Sequence, residues 1–481
     1  MNYLDLIEKN QDEMIRTLQE LISIKSVISA REGDAPFGAG IQEAFEYMLK
    51  RGTEEGFQAV NIDNYGGHIE FAGRPSGPKA AASEADRDIM AIAVHLDVVP
   101  EGTGWGFPPY GGELSEGRIY GRGSIDDKGP AVAAFYAMKA LKDSGFVPEK
   151  RVRLILGLDE ETNWKGMEYY LQKAEMPSFG FTPDCNFPAV YAEKGVLTFD
   201  LVKKIGKTHS KAKGAVIDSL VGGNAPNSVA DIAKIVLIAD SYQKTIDKLC
   251  EFKKETGYSI DARLNGIYLE ITVHGVSSHG ARPAEGLNAI SILMKFLSHV
   301  ELANDEIGCF VDFYNTYIGF ELDGTSLGCG FTDEPSGKLI LNVGMIKLDK
   351  GKLTLTVNIR YPVTFDDEKV YGGMTPALRK YGIELVGRKH QKPIYLSKED
   401  KMVAALIDIY RKHTGDTDSE PMVTGCTTYA RAIRNSIAFG AVFPGEPELG
   451  HQKNEYITVK NLMLLAKIFA EAIYVLAGPE A

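Results

Sequence analysis

Cysteine is scarce: five residues in 481, at positions 185, 250, 309, 329 and 426, with no pair at C-x-x-C spacing. That excludes a disulfide scaffold. An odd, scattered set reads as reduced thiols, five small buried apolar side chains of a cytoplasmic protein. Long hydrophobic runs are missing too. The most apolar late stretch, 462–476, is interrupted by Lys467 and Glu471 at helical spacing, which makes it a packed surface helix and not a membrane span. The opening MNYLDLIEKNQDEMIRTLQELI carries charges throughout and reads as an amphipathic helix, not a signal peptide. Positive charge is in deficit, with 53 Lys and Arg against 65 Asp and Glu and a formal net charge of −12, so no broad nucleic-acid surface is expected. No repeat of fixed period and no low-complexity tract is present. What remains is ordinary globular composition, 44% hydrophobic and 25% charged, in a chain long enough for two or three domains.

The first third alternates strands and helices. Residues 88–99 (DIMAIAVHLDVV) form an apolar run of the kind buried on both faces of a parallel sheet, 130–144 repeat apolar residues at helical spacing before Gly145, and 151–158 (RVRLILGL) make a second buried strand. Strand, crossover helix and strand are the grammar of an α/β domain with a central sheet. Residues 196–202, 266–273, 339–347 and 352–360 instead alternate apolar and polar side chains, as half-exposed antiparallel strands do, with helical patterns at 231–252 and 288–297 between them. After His390 the first pattern returns, with helices at 401–414 and 459–476 and a short strand at 437–443. The expected fold class is α/β with two domains: a central mixed sheet flanked by helices, in two parts at 1–194 and 389–481, and an inserted α+β domain at 195–388.

Histidines and carboxylates gather where strands end, the edge at which open α/β sheets bind ligands. His95 and Asp97 close the first strand, and alternation along it puts both side chains on one face, so Asp97 can orient the His95 imidazole as a metal-bound histidine requires. Alone, the pair equally describes a satisfied core histidine. Asp126 and Asp127 lie in a glycine-dense turn, Gly121-Arg-Gly-Ser-Ile-Asp-Asp-Lys-Gly129, and could be a helix cap with a first-turn acid. Asp159, Glu160 and Glu161 end the second strand, where three acids repel one another unless a cation or solvent separates them. Asp184 and His451 complete the inventory. Two metals bridged by one carboxylate need about five ligands, and His95, Asp126, Glu161, Asp184 and His451 suffice, leaving Glu160 as a base for the water they activate.

With these residues in place the sequence resembles a family of metallopeptidases that includes aminoacylase, glutamate carboxypeptidase, succinyl-diaminopimelate desuccinylase and bacterial dipeptidases. The phrases WGFPPYGGEL, YGRGSIDDKGP, FPGEPELGHQKNEY and TYARAI are similar to its peptidase V branch of Xaa-His dipeptidases. The resemblance implies one metal held by His95, Asp126 and Asp184 and another by Asp126, Glu161 and His451, with a cis peptide after Asp126. It implies Glu160 as general base and Asp97 as the residue orienting His95. From Ser277-Ser-His-Gly-Ala-Arg-Pro283 it implies that His279 stabilises the tetrahedral intermediate. Asn227, Arg360, Thr428 and Arg431 are then substrate contacts, Arg360 for the terminal carboxylate because its planar fork pairs both oxygens. His274 has no counterpart and reads as structural.

One departure stands out. Relatives carry Gly-Gly-Thr before the Tyr-Ala-Arg segment, and here the run is Gly425-Cys426-Thr427-Thr428, which sets side chains where the family leaves bare backbone. The implied cofactors are two divalent metal ions per chain, Zn first and Mn or Co as alternatives. The implied partner is a small dipeptide substrate, with no nucleic acid and no membrane. The segment 195–388 exceeds the dimerisation domain of carboxypeptidase relatives and implies a lid that makes a monomer self-sufficient. The implied reaction is hydrolysis of unblocked dipeptides. An N-acyl-amino-acid deacylase or desuccinylase, or a metal-binding relative that no longer turns over, are the alternatives.

Overall fold

A computed structural model describes residues 2–72, 88–206, 214–238 and 242–479. The chain divides into two compact units, one of Met1–Tyr191, Ile394–Met422 and Thr427–Ala481, the other of Ala192–Pro393 and Val423–Cys426. The sequence reading places 423–426 in the closing part of the catalytic domain. In the structure these residues go with the second unit, where Lys194 N–H donates to the Thr424 carbonyl at 3.0 Å and Arg360 Nη1 to the Gly425 carbonyl at 2.7 Å.

Six strands of the first unit lie side by side in the order Gln58–Ile62, Gly66–Phe71, Arg151–Gly157, Ile89–His95, Phe179–Thr182 and Ser436–Ala438. The first two pairings are antiparallel and the remaining three parallel, so the sheet is mixed. Ile89–His95 is buried along its whole length, as its uninterrupted apolar run demands. Helices Lys128–Asp143 and Val459–Ala477 pack together over one face with Tyr3–Lys9 and Gln11–Ser23. The other face is filled by Ala91, Ala93 and Ile155 against Met167, Tyr170, Tyr429 and Ile433. The opening amphipathic pattern is two helices, not one, because Asn10 ends the first and begins the second. Val459–Ala477 is a core helix, not a surface one: Leu465, Ile468, Phe469 and Ile473 are buried, and buried Glu471 is paired with Lys412 and His413. Among the described residues no helix is long and apolar enough to cross a membrane.

The second unit is built on eight strands in the order Ser259–Asn265, Tyr268–His274, Ile232–Ile238, Val216–Gly222, Ile340–Asp349, Lys352–Tyr361, Gly195–Lys204 and Glu384–Gln391. Every pairing is antiparallel. Helices Gln243–Thr256, Ala289–Leu297, Asp305–Tyr317 and Asp367–Tyr381 supply one large apolar core with the inward side chains of these strands, while Val221 and Ile232 stay exposed. Three of the helices begin on side-chain caps, Asn288, Asn304 and Asp366. The helix expected over 231–252 is a strand, Ile232–Ile238, followed by the helix Gln243–Thr256; residues 239–241 of that span lie outside the described residues. Alternating burial between two neighbouring strands overrides the helical period there. The expectation of five buried cysteines is also corrected. Cys329 is buried, Cys185 and Cys426 are half-buried, and Cys250 and Cys309 are exposed on helices whose apolar stripes lie elsewhere. His274, read as structural, pairs with Asp261 at 2.9 Å.

A charged knot holds the antiparallel edge of the first sheet. The carboxylate of Glu70 accepts from Arg151 Nε at 2.9 Å and from Arg153 Nη2 at 2.8 Å, and all three residues are buried. His68 sits beside them, its Nδ1 2.9 Å from the Tyr170 hydroxyl. Burial, with the guanidiniums of Arg153 and Arg151, pushes its pKa down to about 3. The unfolded chain has an ordinary histidine with pKa about 6.5, so between those values it binds the extra proton. Stability is therefore fully present above about pH 6.5 and is lost as pH falls towards 3. His68→Gln is expected to flatten this acid limb, read as a smaller drop in the urea midpoint between pH 7 and pH 4 than in the unaltered chain.

Candidate metal centre

Three parallel strands deliver their carboxyl ends to one edge of the first unit's sheet. His95 is the last residue of Ile89–His95, Glu160 and Glu161 follow Arg151–Gly157, and Asp184 follows Phe179–Thr182. Asp126 comes from the turn before helix Lys128–Asp143, and His451 from the loop before Tyr456–Thr458. His95 Nε2 lies 3.0 Å from Asp126 Oδ1 and 3.9 Å from Asp184 Oδ2. His451 Nε2 lies 3.2 Å from Asp126 Oδ2 and 2.8 Å from Glu161 Oε1. Asp126 thus faces one histidine with each of its oxygens, the geometry of a bridging carboxylate. Its peptide bond to Asp127 is cis.

Potential ligand atoms come within 4.8 Å of one another in two sets that share His95: His95, Glu160 and Asp184, and His95, Asp126 and Glu161. Glu160 is therefore near enough to His95 and Asp184 to be a ligand as well as a base. The electrostatics show what the cluster needs. Burial and then the charge of Asp184 push the Glu160 carboxyl well up, and burial with Asp126 does the same to Asp184 and Glu161. Burial alone would lower the histidines, but Asp126 and Asp97 hold His95 well above its usual range, and Asp126 and Glu161 raise His451 to about 11. Carboxyls forced towards protonation beside histidines forced towards cations mark a site short of positive charge. Divalent cations supply it and replace those protons. The donor set of imidazole and carboxylate without thiolate fits them.

Asp97 departs from its expected geometry. The strand ends at His95, so alternation no longer governs position 97. The His95 Nδ1–H donates to the Asp97 carbonyl oxygen at 2.9 Å, and the Asp97 carboxylate is 3.5 Å away. That carboxylate instead accepts the backbone N–H groups of Glu160 and Glu161, each at 3.1 Å. One residue therefore steadies the first histidine with its backbone and the Glu160–Glu161 pair with its side chain. Asp127, expected as a helix cap, makes no side-chain cap and accepts the His95 N–H at 3.1 Å. Asp159 turns away and accepts the Gly166 N–H at 3.0 Å. The glycines of the Asp126 turn permit close packing: a Cβ on Gly129 would lie 2.1 Å from the Ser124 carbonyl oxygen, and one on Gly121 2.4 Å from the Ile22 side chain.

Supporting residues escape a sequence reading. Tyr429 is buried edge-on to His95, with ring centroids 6.4 Å apart, and its ring occupies the space a Cβ on Gly157 would need, 2.1 Å away. Trp164 Nε1–H donates to the Glu160 carbonyl at 2.8 Å. Buried Lys128 donates to the carbonyls of Leu21 and Ile24 at 2.9 and 2.8 Å, tying the end of helix Gln11–Ser23 to the turn. Arg122 and Glu455 form a fully buried pair at 2.6 Å. The only signal for these five is a charged or aromatic residue in or beside a motif, with nothing to say which way it points.

The remaining candidates are positioned by contacts within their own units. Thr428 is buried, and its hydroxyl accepts the Ala430 N–H at 3.3 Å as cap of the short turn Tyr429–Ala432. Arg431 donates its backbone N–H to the Thr428 carbonyl at 3.1 Å in that turn. Asn227, His279 and Arg360 belong to the second unit, where the Asn227 carbonyl accepts the Gly280 N–H at 2.7 Å. Arg360 donates through Nε to Asn358 Oδ1 at 3.1 Å. Gly425, which its Nη1 grips, has no room for a side chain, since a Cβ there would come within 2.9 Å of Ala281. Cys426 and Thr427 follow it, half-buried.

A mixed sheet with helices on both faces, gathering two histidines and a crowd of carboxylates at its parallel strand ends, defines a metal-dependent hydrolase. The chain belongs to the peptidase family M20/M25/M40, whose model matches residues 91–475. It is 36% identical over 470 residues to a Staphylococcus epidermidis protein named "Putative dipeptidase", covering 97% of both chains. It is 35% identical over 481 residues to "Putative dipeptidase YtjP" of Bacillus subtilis, covering 99% of this chain and 100% of that one. Among solved structures, aminoacylhistidine dipeptidase from Vibrio alginolyticus shares the fold with a TM-score of 0.56 at 14% identity, covering 97% of this chain and 96% of the other. Human carnosine dipeptidase 1 does so with a TM-score of 0.52 at 15% identity, covering 98% of each.

Removing the Asp97 carboxylate should free the loop that carries Glu160 and Glu161. Asp97→Ala is expected to reduce metal affinity or turnover by about 10–100-fold, the usual range for residues that orient ligands, with the far-UV circular dichroism unchanged. Wild-type affinity and turnover in that variant would show that the loop holds itself.

Proposed function

We propose that the protein is a metal-dependent dipeptidase that hydrolyses the peptide bond of unblocked dipeptides, using two divalent cations, zinc before manganese or cobalt. One observation carries the reading. Asp126 faces His95 with one oxygen and His451 with the other, while Glu160 stands beside the same cluster with no ion-pair partner of its own among the described contacts. The names of its full-length relatives support the substrate class. His95, Asp126 and Asp184 are assigned to one cation and Asp126, Glu161 and His451 to the other.

When bound, the cations polarise the scissile carbonyl and bring the pKa of water towards neutrality. Glu160 takes the proton of the attacking water and passes it to the leaving nitrogen. Its surroundings already favour the protonated carboxyl, the direction needed by a group that must act as an acid after acting as a base. From the family resemblance, His279 is assigned to the developing oxyanion, and Asn227, Arg360, Thr428 and Arg431 to the substrate, Arg360 at its carboxylate. The same resemblance assigns the second unit as a lid and the protein as a monomer, and the few scattered cysteines assign its place as the cytoplasm.

The test is hydrolysis by metal-stripped protein resupplied with Zn, Mn or Co, on free dipeptides beside N-acetyl and N-succinyl amino acids. Free dipeptides should be cleaved and blocked substrates left intact; the reverse pattern would make the protein a deacylase. Glu160→Ala is expected to lower kcat by about 10²–10⁴-fold with two metals still bound. Loss of a metal in that variant would make Glu160 a ligand beside His95 and Asp184.

A further inference from the structure

The two segments that carry Asp126 and His451 are 325 positions apart in sequence, and a single buried ion pair joins them. Glu455 and Arg122 are both buried, with Arg122 Nη1 donating to Glu455 Oε2 at 2.6 Å. The same Nη1 donates to the carbonyl of Gln452, the residue after His451, at 3.2 Å. The second oxygen of Glu455 accepts the backbone N–H groups of Ile125 at 3.0 Å and Asp126 at 3.3 Å. The backbone repeats the link, since Gly121 N–H donates to the Glu455 carbonyl at 2.9 Å. The guanidinium lies under the Trp105 ring, 5.3 Å from its centroid, which closes that side to solvent.

We propose that Glu455, locked by Arg122, is a positioning residue that sets the distance between Asp126 and His451 and thereby the affinity of the cation position those two share with Glu161. The inference rests on the metal-dependent reading above and deepens it. Lys128 and the turn's own backbone bonds hold its far side, but among the described contacts no other carboxylate touches the Asp126 backbone, so its place relative to His451 is set by both oxygens of Glu455. An amide at 455 would have to aim N–H either at Arg122 or at the two backbone donors, and one side of the clip would open. The other position also uses Asp126, but its remaining ligands, His95 and Asp184, lie at strand ends held by the sheet, so it depends less on the clip than the position that needs His451.

The experiment uses the full chain, stripped with chelator, titrated with zinc by calorimetry and reloaded with cobalt for visible absorption. The unaltered protein should take up two zinc ions. Glu455→Gln should bind one of them about 10–100-fold more weakly, the range typical of groups that orient ligands, and the other with a clearly smaller loss, with the cobalt spectrum altered more strongly for the weakened ion. Should Glu455→Gln fail to fold, the double variant Arg122→Met with Glu455→Leu removes both charges and leaves no lone buried ion; the same selective weakening is expected of it. Two zinc ions at wild-type affinity in a folded variant would overturn the proposal, as would equal weakening of both, the mark of a merely structural role. An unaltered protein that binds no zinc would instead overturn the metal-dependent reading on which the proposal rests.

Discussion

The first unit is organised around an electrostatic excess. Asp126, Glu160, Glu161 and Asp184 converge with two histidines in one patch, and burial makes their mutual repulsion expensive. Nothing about the fold's stability asks for such a cluster. The surrounding architecture holds it open: a fixed sheet edge supplies three of the positions, Asp97 clamps the acid pair by its backbone, and Asp127 holds the His95 N–H. Both side-chain clamps are carboxylates, so negative charge positions an acid pair and a histidine through intervening peptide N–H groups. Cations complete such a design, because they turn the repulsion among these acids into attraction.

The α/β grammar and the gathering of the candidate metal ligands were legible in the sequence for one reason. Parallel strands are short apolar runs, and whatever polar residue follows each run lands on the same edge, so His95, Glu161 and Asp184 could be grouped without coordinates. What stayed hidden depends on direction. Asp97 lies two residues past His95, and alternation predicts a shared face; the strand stops at His95 and the carboxylate swings to the neighbouring loop. Residues 232–238 satisfy a helical period and a strand alternation at once, and only the presence of strands on both sides decides between them. Cys250 and Cys309 illustrate the same limit, since small apolar residues on a helix are buried or exposed according to which face meets the sheet.

Buried charges form the other illegible class. Glu70 with Arg151 and Arg153, Glu455 with Arg122, and Lys128 on two carbonyls all sit among apolar neighbours. A lone charged letter in a motif looks like surface until its partner, often more than a hundred positions away, is brought to it. Such pairs add little net stability over a well-packed apolar replacement, while breaking one costs several kcal/mol, about 3–5. Their value here lies in orientation, because each of them fixes a loop that a metal ligand or a sheet edge depends on.

The order of the ligands along the chain sets a timetable for assembly. His95, Asp126, Glu161 and Asp184 leave the ribosome early, the second unit follows, and His451 comes only thirty residues before the last residue of the sequence. The sheet that carries the early ligands also waits for Ser436–Ala438 to pair with Phe179–Thr182. A half-made chain therefore offers a cluster of acids with one histidine, able to attract a cation but not to hold it in its final geometry. Metal loading by this set thus waits for a segment made 267 positions after Asp184 (451 − 184), and a protein without that loop and helix Val459–Ala477 would lose the centre however well its first two hundred residues fold.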